Sequence, residues 1–404
     1  MYSIQPSTCI KQDISAAFPH IHNTRLDAFF TFVELACRTQ NITVTSLGRE
    51  LKQNSDTNVK HDIKRADRLV GNIHLHSERV CFYSLMSERL IGLEKHPYIL
   101  IDWSPMNGAE IFQVLRASIP LDGRALTIYE KAYTESDLNT DKAHRQFIHE
   151  LAQCLPEGCQ PIITTDAGFK SPWFNAIEEA GWYWIGRVRG QVQLSEDAIS
   201  WKKCKQWYDL ATSRAKKTGE IFYSKSKQLL CEGVLYHRKT NGRYKKKKRG
   251  GKSQCSTDKY QQEKANEPLF LVYNLPPTHQ YNARQIVCIY KKRMQIEENF
   301  RDTKNPRLGL GLSDACSTTT LRYDNLLLIA AMVLFILWCL GFASSQLGQS
   351  RFLQANSIKK RRVLSIIFLG KQVINDDRYC PDDPLFIFVY HQLSEIVQGY
   401  NDTL

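Results

Sequence analysis

Two aspartates in this chain each close a short apolar run, Asp102 in YILIDW and Asp166 in PIITTDAG. Continuous apolar runs of this length read as buried strands. An acid at the end of one lies at the margin of a sheet, where neighbouring strands can bring two carboxylates together. Carboxylate oxygens are hard ligands that suit Mg²⁺ or Mn²⁺ and supply charge balance as well as ligation. Two such ions about 3.5–4 Å apart can activate a water or a 3′-hydroxyl and stabilise the leaving oxygen of an in-line displacement at phosphorus. An aspartate after a strand is also a common turn starter or helix N-cap, so the pair alone does not decide between chemistry and structure.

A third segment, IYKKRMQIEENFRDTKNP, carries Tyr290, Arg293, Glu297 and Lys304 in the spacing Y-x2-R-x3-E-x6-K. At about 100° per residue these four positions fall within roughly 60° of one another on a helix. A helix over about residues 283–303 would therefore present a phenol, a guanidinium, a carboxylate and an ammonium on one face. Glu297 can complete a metal site, Arg293 and Lys304 can hold phosphates, and Tyr290 can stack on or hydrogen-bond to nucleic acid. The plainer alternative is a surface helix with a Glu–Arg pair four residues apart, and without the two aspartates it would be preferred. Glu298 is acidic too but lies about 100° around the helix from Glu297, and Asp302 is a further acid in the segment. The spacing selects Glu297.

The surrounding chain must position these groups. At 404 residues, 43% hydrophobic and 11% aromatic, it can bury a substantial core, and two or three domains are expected. Lys and Arg outnumber Asp and Glu by 54 to 41, a net charge of +13. That balance attracts polyanions, because phosphate contacts release condensed counterions. Twelve cysteines are scattered from Cys9 to Cys380, and the close pair Cys154 and Cys159 has no partner pair at zinc-ligand spacing. Neither a zinc site nor a disulfide framework is indicated, and a reducing compartment is expected. The N-terminus has no apolar stretch of signal-peptide type. The run LLLIAAMVLFILWCLGFA, residues 326–343, is about long enough to cross a bilayer, yet a helix buried in a large core has the same pattern and is the preferred reading.

Residues 1–95 read as short helices. In VKHDIKRADRLVGN, His61, Lys64, Arg65 and Arg68 share one helical face, with Ile63 and Leu69 towards the other side. A basic face is usually only solvated; in a basic protein it is also a candidate DNA contact. From Tyr98 the period changes to strands, over YILIDW, residues 111–118, 126–133, PIITTDAG and WYWIGRVRG, with an Asp122-Gly123 turn between the second and third and a helix at about 140–155. Together they describe a mixed sheet covered by helices. Residues 191–280 differ, mixing the strand-like GEIFYSKS, LLCEGVLYHRK and LFLVYNL with a polar tract in which seven of the twelve residues from Asn241 to Lys252 are Lys or Arg. That tract reads as a solvated loop able to grip phosphates when DNA is present.

Asp102 in LIDWS, Asp166 in TTDAGFK and the Tyr290–Lys304 spacing together resemble the DDE transposases of the insertion-sequence-four family with a YREK signature. IKRADRLVGNIHLH, SIPLDGRALTIYEKA, GWYWIGRVRG and KRMQIEENFRD support the likeness, which spans about residues 40–370. The resemblance implies an α/β protein with an RNase H-like mixed-sheet core interrupted by a mostly β insertion. The expected layout is a helical DNA-binding domain at 1–95, the core at 96–190 and 281–345, the insertion at 191–280 and a helical C-terminal region at 346–404. It implies catalysis and metal ligation by Asp102, Asp166 and Glu297 with two Mg²⁺ ions, for which Mn²⁺ can substitute. DNA or phosphate contacts fall to Tyr290, Arg293, Lys304, Lys64, Arg65 and Arg68. It also implies cut-and-paste transposition: a nick at the element's end, attack by the freed 3′-hydroxyl to form a hairpin, reopening, and joining to target DNA. The expected partners are transposon-end DNA, target DNA and a second copy in a homodimer, in the bacterial cytoplasm and without a membrane. Family members often carry a Trp near the end of the insertion, thought to stack on a flipped base; here EPLFLVYNLP has Leu269 at that place and Phe270 beside it. A metal-dependent endonuclease without strand transfer, a DNA-binding repressor or decayed copy, and a membrane protein anchored by 326–343 are the alternatives.

Overall fold

The computed structural model describes residues 6–39, 41–52, 57–106, 112–238, 255–257, 266–355, 357–358, 361–376 and 378–402. The basic tract at 241–252 lies outside them. The chain divides into two units, residues 1–160 with 292–403, and residues 161–291.

In the first unit five helices precede the strands: α1 (Ser7–Ala17), α2 (Asn23–Arg38), α3 (Val44–Lys52), α4 (Val59–Val70) and α5 (Ile73–Ile91). Helices α3 and α4 approach backbone to backbone. A Cβ on Gly48 would stand 2.4 Å from the Ile63 Cα, so only glycine fits there. Asn72 begins α5 by accepting from the His74 and Leu75 N–H groups, and the carboxyl of Asp62 in α4 is buried against the Thr57 hydroxyl.

Three antiparallel strands follow, β1 (Tyr98–Pro105), β2 (Phe112–Pro120) and β3 (Ala125–Thr134), with β2 in the middle. The turn expected at Asp122-Gly123 joins β2 to β3, with Gly123 at φ +68° and the Leu121 N–H bonded to the Arg124 carbonyl. Helix α6 (Asp141–Cys154) is capped by Thr140, whose hydroxyl accepts from the Ala143 N–H. Returning to this unit after the second, the chain forms α9 (Met294–Lys304) and α10 (Thr320–Gln346), and later α12 (Ile366–Val373), α13 (Asp383–His391) and α14 (Leu393–Asn401) after a one-turn α11 (Ser350–Leu353).

Among the described residues α10 alone is long and apolar enough to cross a membrane, and it is buried within this unit. It crosses α12 at two glycines: a Cβ on Gly341 or Gly370 would lie 1.9 Å from a carbonyl oxygen of the other helix. Asp324 in its first turns accepts from His76 at 2.9 Å and Arg79 at 3.3 Å, and Asn325 donates to the Val70 carbonyl. The helices of residues 1–95 are thus tied to α10, because it carries polar groups that they satisfy.

The second unit holds a mixed sheet. Strands β4 (Ile162–Thr165) and β5 (Tyr183–Val188) pair in parallel, joined through α7 (Ser171–Glu179). Beyond β5 the order is β10 (Leu269–Asn274), β9 (Leu229–Tyr236), β8 (Lys216–Tyr223), β6 (Gln193–Ser195) and β7 (Lys202–Lys203), all antiparallel. The three strand-like segments read in 191–280 are β8, β9 and β10; β6 and β7 are too short and polar to show in the sequence. Phe174 of α7 stacks on Trp184 of β5 at 4.1 Å between centroids, and the missing side chain of Gly186 leaves room for the Phe174 ring. Helix α8 (Ala283–Lys292) ends this unit. The single helix expected over 283–303 is divided by a one-residue turn at Arg293, where an Ile296 N–H to Arg293 carbonyl bond tightens the coil while the backbone stays helical at φ −50°.

Candidate active site

Helix α9 has two working faces. Offsets of 0, 4 and 11 residues put Arg293, Glu297 and Lys304 within about 40° of one another, whereas Gln295, Asn299 and Thr303 point the other way, towards the strands. The inward side chains fix the helix. Gln295 accepts from the Leu121 N–H at 2.9 Å, and Asn299 donates to the Ala125 carbonyl at 2.8 Å.

Beneath α9 runs a row of charged residues across three strands: Asp102 pairs in register with Arg116, and Arg116 with Glu130. The Arg116 guanidinium is 1% exposed and donates to Glu130 Oε2 at 2.6 and 2.7 Å, to Asn299 Oδ1 at 2.5 Å and to Thr303 Oγ1 at 3.0 Å. Burial pushes the Glu130 carboxyl up from its ordinary range, and Arg116 opposes that shift. This network joins β2, the strand paired with the one bearing Asp102, to the helix bearing Glu297.

On the outer face Arg293 donates to Asp102 Oδ2 at 3.0 Å and to Glu297 Oε1 at 2.9 Å. The structure therefore brings Asp102, Arg293 and Glu297 together. Strand β1 runs three residues past Asp102, through Trp103, Ser104 and Pro105, and that extension anchors Lys304. Its ammonium donates to Ser104 Oγ at 2.6 Å and to the Pro105 carbonyl at 2.7 Å. Burial lowers the Lys304 pKa to about 8, the nearby Arg116 acting in the same sense and Asp102 in the opposite one. The other two acids of the segment are engaged elsewhere. Arg124 pairs with Glu298 at 3.2 Å and with Asp302 at 2.8 Å.

Asp166 belongs to the second unit, immediately after β4. Its Oδ1 accepts from the Gly168 N–H at 2.7 Å, an Asx turn that closes the loop after the strand. Tyr290 is buried near the end of α8, within electrostatic reach of Arg187. Phe270 is fully buried against Trp207, at 5.5 Å between ring centroids, and Leu269 beside it is part-exposed. Lys64, Arg65 and Arg68 lie on α4 with His61, all four exposed, and Arg65 lies 3.6 Å from Asp62.

Among the described residues no three His, Cys, Asp or Glu side chains cluster at metal-binding distance. Asp102 and Glu297 nevertheless fit a shared cation: one guanidinium already spans both, and their donors are the carboxylate oxygens that hard divalent ions take. Local sequence pattern does not single out Arg116, Glu130, Asn299 or Thr303. The signal available for two of them is an Arg and a Glu, each inside an apolar strand, on either side of one hairpin.

The sequence profile of the transposase DDE domain matches residues 94–336, a span that contains Asp102, Asp166, Tyr290, Arg293, Glu297 and Lys304. The chain belongs to that family. It is a transposase, an enzyme of polynucleotidyl transfer that acts in DNA transposition, and such domains generally use divalent metal ions. Comparison with curated proteins gives no significant match.

Proposed function

We propose that this transposase moves an insertion sequence by cut-and-paste transposition, with Asp102, Asp166 and Glu297 as its catalytic acids. The observation that carries the reading is the convergence of Asp102 and Glu297 on Arg293, with Lys304 further along the same face of the helix. Asp166 is assigned from its position at the end of β4 and from its place within the family span. Divalent cations, Mg²⁺ with Mn²⁺ as substitute, would supply charge neutralisation at phosphorus and an acidified water or hydroxyl. The chain's own residues do the rest. The three carboxylates would hold those cations, Arg293 and Lys304 bind the phosphates flanking the scissile bond, and the Arg116 network keeps α9 from shifting against β2 and β3.

In this reading the chain belongs to the insertion-sequence-four subfamily with the YREK signature, near the transposase of the tetracycline-resistance transposon Tn-ten. Residues 96–190 and 281–345 form the RNase H-like core, 191–280 the β-rich insertion and 346–404 the C-terminal region. Residues 1–95 bind the element's ends through Lys64, Arg65 and Arg68. Two copies hold two ends in a homodimer that captures target DNA in the bacterial cytoplasm. A hairpin intermediate needs a platform for a flipped base. The burial of Phe270 leaves the part-exposed Leu269 as the candidate on this stretch. The test is incubation with DNA carrying the element's own ends and Mg²⁺. Double-strand excision followed by joining to a plasmid supports the reading; cleavage without joining supports a plain endonuclease.

A further inference from the structure

Asp102 and Glu297 are held by one and the same side chain. The Arg293 guanidinium places one nitrogen 3.0 Å from Asp102 and another 2.9 Å from Glu297, while being only 12% exposed itself. We propose that Arg293 is a lock: it closes the acidic pair to divalent cations until a DNA phosphate draws the guanidinium away. The proposal rests on the reading of Asp102 and Glu297 as metal ligands.

Mg²⁺ demands oxygen ligands at about 2.0–2.1 Å in near-octahedral geometry. Oxygens already bonded to charged N–H groups cannot turn the same lone pairs onto a metal, and an ion bound there would face the guanidinium's positive charge at short range. Metal and Arg293 therefore compete for one place. With the guanidinium gone and no metal present, two carboxylates would be left facing each other, so the pair always needs a cation. Two non-bridging oxygens of a DNA phosphate can accept both arms of the Arg293 fork in place of the two carboxylates, and Glu297, 48% exposed, is the outer and more easily released half of the bridge. DNA binding and metal binding then favour each other, and linkage makes the favour mutual. The consequence is a chain that takes up its metal poorly until DNA is in place.

The test is Mn²⁺ binding to the full chain, followed by the electron paramagnetic resonance signal of free Mn²⁺, so that no activity is read. Arg293→Gln is expected to bind Mn²⁺ at least about fivefold more tightly than the wild type without DNA, the lower end of usual site–site couplings. Arg293→Lys, whose single ammonium cannot span both carboxylates in the same way, should lie between and keeps the test open if the Gln variant fails to fold. A random-sequence DNA duplex should tighten Mn²⁺ binding to the wild type and have little effect on Arg293→Gln. Folded Arg293 variants that bind Mn²⁺ no better than the wild type overturn the lock. Asp102→Asn in the Arg293→Gln background separates the two ideas. If it abolishes Mn²⁺ binding while Arg293→Gln alone matches the wild type, the ligands are right and the lock is wrong. If it leaves binding untouched, both fall.

Discussion

Arg116 stands directly opposite Glu130 across β2 and β3, and its guanidinium meets the carboxylate at 2.6 Å with both side chains buried. Removing one partner strands the other's charge in the core, which costs about 3–5 kcal/mol, whereas replacing both by apolar groups of similar volume can be nearly neutral. Arg116→Met should therefore lower the urea midpoint strongly, and Arg116→Met with Glu130→Leu should recover much of the loss. Because Arg116 also holds Asn299 and Thr303 on α9, the double variant should still cleave more slowly while binding DNA normally. Unchanged cleavage in a well-folded double variant would remove Arg116 from its positioning role.

The basic residues of α4 should act through phosphates. Lys64→Ala, Arg65→Ala and Arg68→Ala are each expected to weaken end binding and to reduce the slope of log affinity against log salt by about 0.9 for each phosphate no longer neutralised. Fluorescence anisotropy over a salt series reads both quantities. A slope identical to that of the wild type in all three would mean a solvated face that does not touch DNA.

Lys304 gives a pH signature. Its pKa is about 8 in the folded chain, below the ordinary lysine value, because burial disfavours the charged form. Between about pH 8 and 10.5 the unfolded chain binds more protons than the folded one, so this group's contribution to stability rises with pH across that window. Its phosphate-binding charge is lost as the pH passes about 8. DNA affinity measured without divalent cations should fall from pH 7 to pH 9, and Lys304→Arg should flatten that fall. Parallel curves for the two proteins would separate Lys304 from the phosphates.

Much of this arrangement is legible in the amino-acid sequence. Apolar runs ending in Asp102 and Asp166 mark strands β1 and β4, since a strand buried on both faces is apolar without alternation. The Asp122-Gly123 turn marks the β2–β3 hairpin, and helical spacing brings Arg293, Glu297 and Lys304 onto one face. The extension of β1 through Trp103, Ser104 and Pro105 is hidden because that stretch is not fully buried and lacks the apolar run. The roles of Glu298 and Asp302 depend on Arg124, far away in sequence, so no local pattern could show them. The same holds for Asp324 and Asn325, which tie the N-terminal helices to α10 through hydrogen bonds to His76 and to the Val70 carbonyl, 248 and 255 residues away.

Asp102, Asp166 and Glu297 are proposed to carry the chemistry together. Cleavage of end DNA in Mg²⁺ by Asp102→Asn, Asp166→Asn and Glu297→Gln tests it most directly. A metal site contributes several kcal/mol at the transition state and about 1.4 kcal/mol is tenfold in rate, so each variant should cut about 10³-fold more slowly or worse while still binding the ends. Any one of the three cutting at the wild-type rate would remove that acid from the catalytic set.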